Sequence, residues 1–319
     1  MVTPADISAA AGRIAAMVRQ TPLRPSPGLS RLAGGPVWLK CEHLQETGAF
    51  KLRGAGNAVA RLGDEVAGVV TASTGNHGRA LAHAARARGM AAVICMSDLV
   101  PANKLQAIAA LGAEARICGS SQDQALEEAR RLQRDEGLAL IPPFDHPDVI
   151  AGQGTLGAEI MEQIPDAAAI AVPLSGGGLL AGVALAAKTR NPAIRIIGIS
   201  MERGAAMAAS LDAGHPVEIE ELPTLADSLG GGIGLDNRYS FAMVRDLVDQ
   251  VILLSEDQIA AGMRHLARDD GEIVEGAAAV GAGAILAGKL RADDGPLVLI
   301  LSGGNIDPAR HAEILAGRP

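Results

Sequence analysis

One lysine stands in a segment whose residue types suit covalent chemistry with an aldehyde. Thr47 to Ala55 reads TGAFKLRGA, which places Lys51 among small residues and beside a glycine turn. An amine becomes a good nucleophile when burial or a neighbouring cation lowers its pKa, and Phe50 and Arg53 could supply these two influences. Most lysines are solvated surface charges, so the segment alone does not establish a site. Lys51 is the first candidate for a residue that bonds to an aldehyde cofactor.

A second candidate segment, Thr71 to Gly78, follows a predicted strand and precedes a predicted helix. The hydroxyls of Ser73 and Thr74, together with the free N–H groups of a helix N-terminus, suit a carboxylate. An ordinary N-capped helix after a tight turn would show the same pattern. Asn76 and His77 favour a binding site over a simple cap.

Two glycine-rich segments also follow apolar runs. Ser175-Gly176-Gly177-Gly178-Leu179 lets the backbone approach an anion at a helix N-terminus, so a phosphate is the expected ligand and a close-packed turn is the alternative. It matches neither a Walker loop nor the dinucleotide-binding glycine spacing. Ser302-Gly303-Gly304-Asn305 follows the last apolar run. Because open α/β sheets bind ligands at the carboxyl ends of their strands, we expect the four segments to converge on an amino acid joined to a phosphorylated aldehyde.

Short aliphatic runs alternate with alanine-rich helical patterns, which predicts an α/β fold with a parallel sheet covered by helices. The predicted strands are 66–71, 90–96, 169–174, 195–200 and 297–301. The predicted surface helices are 78–88, 103–111 and 122–134. We expect a second domain to be interleaved with the first rather than appended to it.

Composition excludes several classes of protein. A chain of 319 residues with 48% hydrophobic content can bury a large core in one or two domains. A net charge of -8 with 2% aromatic residues argues against a nucleic-acid partner. The uncharged stretch between Asp166 and Lys188 contains Pro173 and three consecutive glycines, so it predicts a strand, a turn and a helix rather than a membrane span.

The cysteines and the N-terminus predict a cytoplasmic protein. Cys41, Cys95 and Cys118 are widely spaced and form no Cys-x-x-Cys pair, which indicates reduced thiols rather than a disulfide framework or a zinc site. The first residues carry Asp6, Arg13 and Arg19 and lack the apolar core of a secretion signal.

Five segments, in order along nearly the whole chain, resemble fold-type II pyridoxal-phosphate enzymes of the serine/threonine dehydratase and serine racemase group. They are 48–55, 73–78, 152–155, 175–179 and 302–305. Within that group, 225–234 and 274–279 are most similar to the hydroxyectoine-utilisation dehydratases. The resemblance implies two interleaved open twisted-sheet α/β domains of the tryptophan synthase β type. A large cofactor-binding domain would comprise 1–48 and 145–319, a small domain 49–144, and two copies would form a homodimer.

The resemblance also implies roles for individual residues. Lys51 would bond to pyridoxal 5'-phosphate and act on the α-proton of the substrate, and Thr74 would stand on the opposite face as a second catalytic group. The other implied cofactor ligands are Asn76 at the phenolic oxygen, Ser175, Gly176, Gly177, Gly178 and Leu179 at the phosphate, Glu275 near the ring and Ser302 at the pyridine nitrogen. The implied substrate-binding residues are Ser73, Thr74, Gly75 and His77.

A neutral hydroxyl at the pyridine nitrogen favours one reaction type. Ser302 cannot hold that nitrogen protonated by charge, so the ring withdraws electrons less strongly and prompt loss of a β-hydroxyl is favoured over transamination. We therefore predict a dehydratase, an ammonia-lyase that converts a 3-hydroxy amino acid to a 2-keto acid and ammonia. The substrate would be of the threonine/serine type or a hydroxylated diaminobutyrate derived from hydroxyectoine.

Departures from the family pattern leave alternatives open. Ala49 stands where many members have serine, and Thr74 stands where racemases have serine. Ser200 occupies the place of an acidic metal ligand, with Glu202 nearby, so a metal requirement stays open. The alternatives are an amino-acid racemase, a β-replacement synthase and, from another class, an amino-acid-binding regulator on the same scaffold.

Overall fold

The computed structural model describes residues 1–73, 75–98, 100 and 102–318. Its strands are β1 (Leu23–Pro25), β2 (Val37–Lys40), β3 (Gly68–Ala72), β4 (Ala91–Met96), β5 (Glu114–Ile117), β6 (Ala139–Leu140), β7 (Ala169–Pro173), β8 (Arg195–Met201), β9 (Gln250–Leu254) and β10 (Leu297–Ile300). The helices are α1 (Pro4–Ile14), α2 (Pro27–Ala33), α3 (Lys51–Ala60), α4 (Asn76–Ala87), α5 (Ala102–Ala110), α6 (Gln122–Glu136), α7 (Pro147–Gln163), α8 (Gly178–Arg190), α9 (Ala206–Ala213), α10 (Ser240–Leu247), α11 (Glu256–His265), α12 (Gly276–Leu286) and α13 (Pro308–Leu315).

In the described part of the chain the strands form two sheets. The larger sheet has the order β1-β2-β10-β7-β8-β9, and the smaller has the order β5-β4-β3-β6. Only β1 pairs antiparallel, at the edge of the larger sheet, and the other pairs in both sheets are parallel. The predicted α/β class and the fold of the resemblance are therefore confirmed.

Both faces of the larger sheet are buried, which explains its continuous apolar strands. In β10, Leu297 and Leu299 join one core cluster, whereas Val298 and Ile300 join the cluster on the opposite face. Successive side chains of a strand point to opposite faces, so helices must cover both. Burying an aliphatic side chain of this size stabilises the fold by about 1.5–3 kcal/mol.

The smaller sheet is built from residues between 68 and 140, and helices pack on both of its faces as well. Val69 and Val70 of β3 belong to separate core clusters. Helix α3 packs against both α4 and α7, and so connects the part of the molecule with the smaller sheet to the part with the larger sheet. The domain boundary at residues 49 and 144 stays a prediction.

The predicted elements differ from the observed ones mainly at their ends. Val66 was assigned to the strand that became β3, but its N–H donates to the carbonyl of Gly63 in a turn, so the strand begins at Gly68. Within the described ranges, none of the helices combines the length and apolar character that crossing a bilayer requires.

Candidate active site

Lys51 is the first residue of α3 and its side chain points inward. Its Nζ donates to the carbonyl oxygen of Pro143 at 2.6 Å and lies 5.2 Å from the centre of the Phe50 ring. Burial lowers the pKa of Lys51 to about 8, and the negative charge of Glu275 partly opposes that shift. The amine is therefore easier to deprotonate than a surface lysine, in the sense that the sequence suggested.

The chain before Lys51 is held against the segment that contains Ser302. The N–H of Phe50 donates to the carbonyl of Ser302, and Ala49 forms an isolated antiparallel bridge with Gly303. Gly48 makes this approach possible, because its φ is +75° and a Cβ there would lie 2.5 Å from Oδ1 of Asn305. This pairing fixes where α3 begins.

Ser302 itself follows β10 and is buried, with 3% of its surface exposed. No described residue forms a hydrogen bond with its hydroxyl. The hydroxyl oxygen is not one of the fully enclosed polar atoms that lack a partner, so it is open to a ligand in the site.

The segment around Ser73 matches the helix-cap interpretation more closely than the sequence indicated. The Ser73 Oγ accepts hydrogen bonds from the N–H groups of Gly75 and Gly78, at 3.4 and 3.2 Å. These bonds extend α4 to Asn76, two residues before its predicted start. The hydroxyl hydrogen of Ser73 stays available as a donor, so a role in binding a carboxylate stays a prediction, as it does for Gly75.

Thr74 lies outside the described residues, so its predicted catalytic role has no structural description. His77 is buried and directs a ring nitrogen to the carbonyl of Ile141, at 2.9 Å. Burial and the nearby charge of Lys51 lower the pKa of His77 to about 3, so the ring is neutral and Nε2 carries the hydrogen that Ile141 accepts. The Nε2 atom of His77 is therefore committed to the backbone, whereas Nδ1 is buried and has no hydrogen-bond partner among the described residues.

Asn76 and Glu275 are brought together from distant parts of the chain. The Asn76 amide donates to both carboxylate oxygens of Glu275 and accepts a hydrogen bond from Asn305. Glu275 is the N-cap residue of α12, but its side chain makes no capping hydrogen bond to that helix. Its backbone N–H donates to the carbonyl of Gly303. The network places an amide and a carboxylate beside the segment that carries Ser302.

The glycine loop between β7 and α8 meets the chain segment that contacts Lys51. A Cβ on Gly176 would lie 2.3 Å from the ring of Phe144, and one on Gly178 would lie 2.7 Å from the Phe144 carbonyl oxygen. Phe144 directly follows Pro143, the acceptor for Lys51. The Pro143-Phe144 pair therefore joins the lysine to the glycine loop, a contact that the sequence analysis missed. The one available signal was a rare aromatic residue, since the chain has three phenylalanines.

The family model for "Pyridoxal-phosphate dependent enzyme" matches residues 14–303 of this chain. The chain belongs to this family. It is therefore an enzyme, and its cofactor is pyridoxal phosphate. The chain is 55% identical over 314 residues to a putative threonine dehydratase of Sinorhizobium fredii, covering 98% of this chain and 95% of that protein.

Two further similarities place the pyridoxal-phosphate enzyme within the predicted group. It is 38% identical to the L-threo-3-hydroxyaspartate ammonia-lyase of Saccharomyces cerevisiae, covering 100% of this chain and 98% of the yeast protein. Its fold matches the structure of maize serine racemase with a TM-score of 0.93 and 35% identity, covering 99% of this chain and 97% of the maize chain. The predicted dehydratase and racemase group is confirmed.

The glycine loop has the properties that a phosphate group requires. Gly177 caps α8 with a φ of +85°, and within the described residues nothing accepts a hydrogen bond from the N–H groups of 176–179. Unpaired N–H groups at a helix N-terminus bind anions, and side chains at Gly176 or Gly178 would collide with Phe144. The residues present thus fit pyridoxal phosphate: a cradle for its phosphate, the Lys51 amine for its aldehyde and the Ser302 hydroxyl for its ring nitrogen.

Ser200 and Glu202 do not form a joint metal site in this structure. Ser200 is buried and its hydroxyl contacts the sulfur of Met201, at 3.3 Å. The Glu202 side chain is half exposed and pairs with Lys289 at 3.5 Å. Glu202 therefore does not compensate for the missing acidic ligand, and a metal requirement at this place has no support from these side chains.

Proposed function

We propose that the enzyme removes water from an L-3-hydroxy amino acid and yields a 2-keto acid and ammonia. The observation that carries this proposal is the Ser302 hydroxyl, which has no hydrogen-bond partner among the described residues and lies on the segment that pairs with the chain just before Lys51. Bound pyridoxal phosphate withdraws electrons from the α-carbon of an attached amino acid. A neutral partner for its ring nitrogen limits that withdrawal, which favours early departure of a β-hydroxyl.

The chain supplies the proton transfers and the binding groups. Lys51 would hold the cofactor aldehyde, and its neutral amine would take the α-proton of the substrate. A pKa near 8 suits this task, because a base works best when its pKa lies near the pH of the reaction. The Cα–H and Cβ–O bonds would break and a Cα=Cβ bond would form, with the proton from Cα and the departing hydroxide making up the water lost. The released enamine would then react with a second water to give the keto acid and ammonia.

The backbone around the site binds the anionic parts of the complex. The N–H groups of 176–179 hold the cofactor phosphate, and the first turn of α4 together with the Ser73 hydroxyl holds the substrate carboxylate. Asn76 lies beside Glu275 at the edge of the cofactor ring. These assignments extend the sequence predictions for Ser73, Gly75, Asn76, His77 and the glycine loop.

The substrate is tested by measuring keto acid and ammonia from a panel. The panel contains L-threonine, L-serine, L-threo-3-hydroxyaspartate and hydroxylated diaminobutyrate, with Lys51→Ala as the control. The relatives named for threonine and for 3-hydroxyaspartate support the first and third substrates, and the resemblance of 225–234 supports the fourth. If no member reacts, or if the Lys51→Ala enzyme keeps full activity, the proposal is wrong.

A racemase is the second candidate, because the maize structure that this chain matches is named serine racemase. Racemisation needs a proton donor on the face opposite Lys51, the role proposed for Thr74. Chiral chromatography of amino acid recovered from the same assays measures D-isomer formation. A β-replacement synthase would instead incorporate an added nucleophile, and an amino-acid-binding regulator would release no keto acid.

We also propose that the enzyme is a cytoplasmic homodimer whose partner is a small amino acid rather than nucleic acid or a membrane. The comparisons support an amino-acid substrate. Light scattering coupled to gel filtration measures the mass in solution against the 32.5 kDa of one chain.

A further inference from the structure

A thiol, an imidazole and a carboxylate meet at one point outside the proposed cofactor contacts. Cys41, His43 and Glu272 each offer a ligand atom, and these atoms all lie within 4.8 Å of one another. The Cys41 Sγ is 3.8 Å from Oε1 of Glu272, and Nε2 of His43 is 2.8 Å from Oε2 of the same residue. The three side chains are almost fully buried, with 6% or less exposed.

We propose that Cys41, His43 and Glu272 bind a Zn²⁺ ion through three protein ligands, with water as the fourth ligand. Sulfur, nitrogen and oxygen ligands of this kind are the set that zinc prefers. Zn–S bonds of about 2.3 Å and Zn–N or Zn–O bonds of about 2.0–2.2 Å place the ligand atoms of a tetrahedral ion roughly 3.3–3.8 Å apart. The Sγ–Oε1 separation of 3.8 Å lies at the upper end of that range, and the ligand atoms lie within 4.8 Å of one another, so the side chains must rotate to enclose an ion.

The imidazole has a lone pair that nothing in the described residues uses. The Nδ1 atom of His43 is buried and has no hydrogen-bond partner, while Nε2 faces the Glu272 carboxylate. A ligating histidine usually donates its other ring N–H to a carboxylate, so Nδ1 is the ring atom that would bind the ion while Nε2–H donates to Oε2 of Glu272. This orphaned atom is independent of the distances that define the cluster.

Arg24 is a half-exposed residue that contacts the buried cluster. Its guanidinium pairs with Oε1 of Glu272, yet half of the Arg24 side chain is exposed. The Arg24 guanidinium therefore supplies the positive charge next to the Glu272 carboxylate, and a zinc ion would take over that role. Zinc binding replaces Arg24 at Glu272, and the thiol of Cys41 releases its proton to solvent as it becomes a ligand.

The site lies behind the segment that carries Ser302. The N–H of His43 donates to the carbonyl of Leu301, and a Cβ on Gly304 would lie 3.2 Å from the His43 Cβ. Glu272 stands three residues before Glu275. A bound ion would thus hold the end of β2 and the approach to α12 together behind the site, without touching the cofactor.

The test is a zinc titration of the cofactor-loaded enzyme after treatment with a chelator. Affinity is measured by competition with a chromogenic zinc chelator, and Co²⁺ difference spectra report a thiolate ligand through its charge-transfer absorbance. We expect one ion per chain and a higher thermal midpoint with Zn²⁺, because the ion binds only the folded state. Cys118→Ser, which removes a half-buried thiol elsewhere, is the matched control and should bind normally.

The variants should differ from the unmodified enzyme in their affinity for zinc, each in a stated direction. Cys41→Ser and Glu272→Gln should lose more than the roughly 10- to 100-fold in affinity that loss of an outer-shell partner costs. Arg24→Gln should bind zinc more tightly than the unmodified enzyme, because the competing cation is gone and the exposed site tolerates the change. The proposal is overturned if zinc does not bind, if the Co²⁺ band persists in Cys41→Ser, or if Arg24→Gln binds more weakly.

Discussion

The side-chain amide of Asn76 donates to both carboxylate oxygens of Glu275, at 2.9 and 3.2 Å, although 199 residues separate the two. Asn76 opens α4 beside the smaller sheet, whereas Glu275 stands before α12 beside the larger one. The bond therefore connects the smaller-sheet and larger-sheet parts of the molecule next to the place proposed for the cofactor ring.

Replacing this amide by a carboxylate should make stability depend on pH. In Asn76→Asp two carboxylates face each other, and like charge raises the pKa of the pair in the folded state. The folded protein then holds a proton that the unfolded chain releases, so the free energy of unfolding should fall as pH rises above about 4. Urea unfolding between pH 5 and 8 measures this, with the surface variant Asn191→Asp as control. Equal pH dependence in both variants would contradict the contact.

The glycine that caps α8 should be required for cofactor binding. In Gly177→Ala the residue must adopt a φ of +85°, and its Cβ would lie 2.7 Å from Met207 and 2.8 Å from Val244. Gly214→Ala is the matched control, since its φ is +77° but its Cβ would meet nothing within 4 Å. Both should lose about 1–2 kcal/mol of stability from backbone strain.

Only Gly177→Ala should also weaken the binding of pyridoxal phosphate. Its dissociation constant should rise at least about tenfold, which corresponds to ~1.4 kcal/mol. Equilibrium titration of the cofactor-free proteins measures the two dissociation constants. Similar constants for both variants would remove the phosphate assignment of the loop.

The buried ion pair between Glu42 and Arg53 should contribute more to the free energy of unfolding than an exposed ion pair does. Glu42 is fully buried and accepts two hydrogen bonds from the Arg53 guanidinium, both at 2.8 Å, in the helix that Lys51 begins. Glu42→Gln removes one of the two carboxylates that the guanidinium contacts and leaves Glu159, so it should cost about 1.5–3 kcal/mol of unfolding free energy.

Glu46→Gln is the control for this pair, because Glu46 meets Arg19 at the surface and should contribute about 0–1 kcal/mol. Denaturant unfolding of both variants gives the comparison. A smaller loss for Glu42→Gln than for Glu46→Gln would show that the buried network is not needed to hold α3.

The amine of Lys51 should react with the cofactor in a pH-dependent way. Because burial lowers its pKa to about 8, the neutral nucleophile accumulates as pH approaches 8, and the rate of attachment should level off above that value. Glu275 raises this pKa, so Glu275→Gln should move the curve to lower pH. Stopped-flow absorbance of cofactor-free enzyme mixed with pyridoxal phosphate records both curves. A rate that keeps rising to pH 10 would indicate an ordinary solvated lysine.

The sequence predicted local features well where a strand runs into a turn. Strand β7 was predicted at 169–174 and observed at Ala169–Pro173, because a continuous aliphatic run followed by glycines has few other structures. The role of the Ser73 hydroxyl was harder to predict, since a hydroxyl that caps a helix and one that binds a carboxylate have the same local sequence pattern.

Long-range contacts could not be predicted from local patterns. Nothing near Lys51 in the sequence indicates that its amine would meet Pro143, 92 positions away, or that Phe144 would pack on the glycine loop. The resemblance supplied the order of the motifs, but the partners of His77 and Asn76 depend on how the two sheets are placed.

Reductive labelling tests whether Lys51 carries the cofactor. Borohydride treatment of the loaded enzyme makes the lysine bond permanent, and peptide mapping by mass spectrometry locates it. We expect the cofactor mass on the peptide that contains Lys51 and no label in Lys51→Ala. Label on Lys40, Lys104, Lys188 or Lys289 instead, or an unlabelled Lys51 in active enzyme, would contradict it.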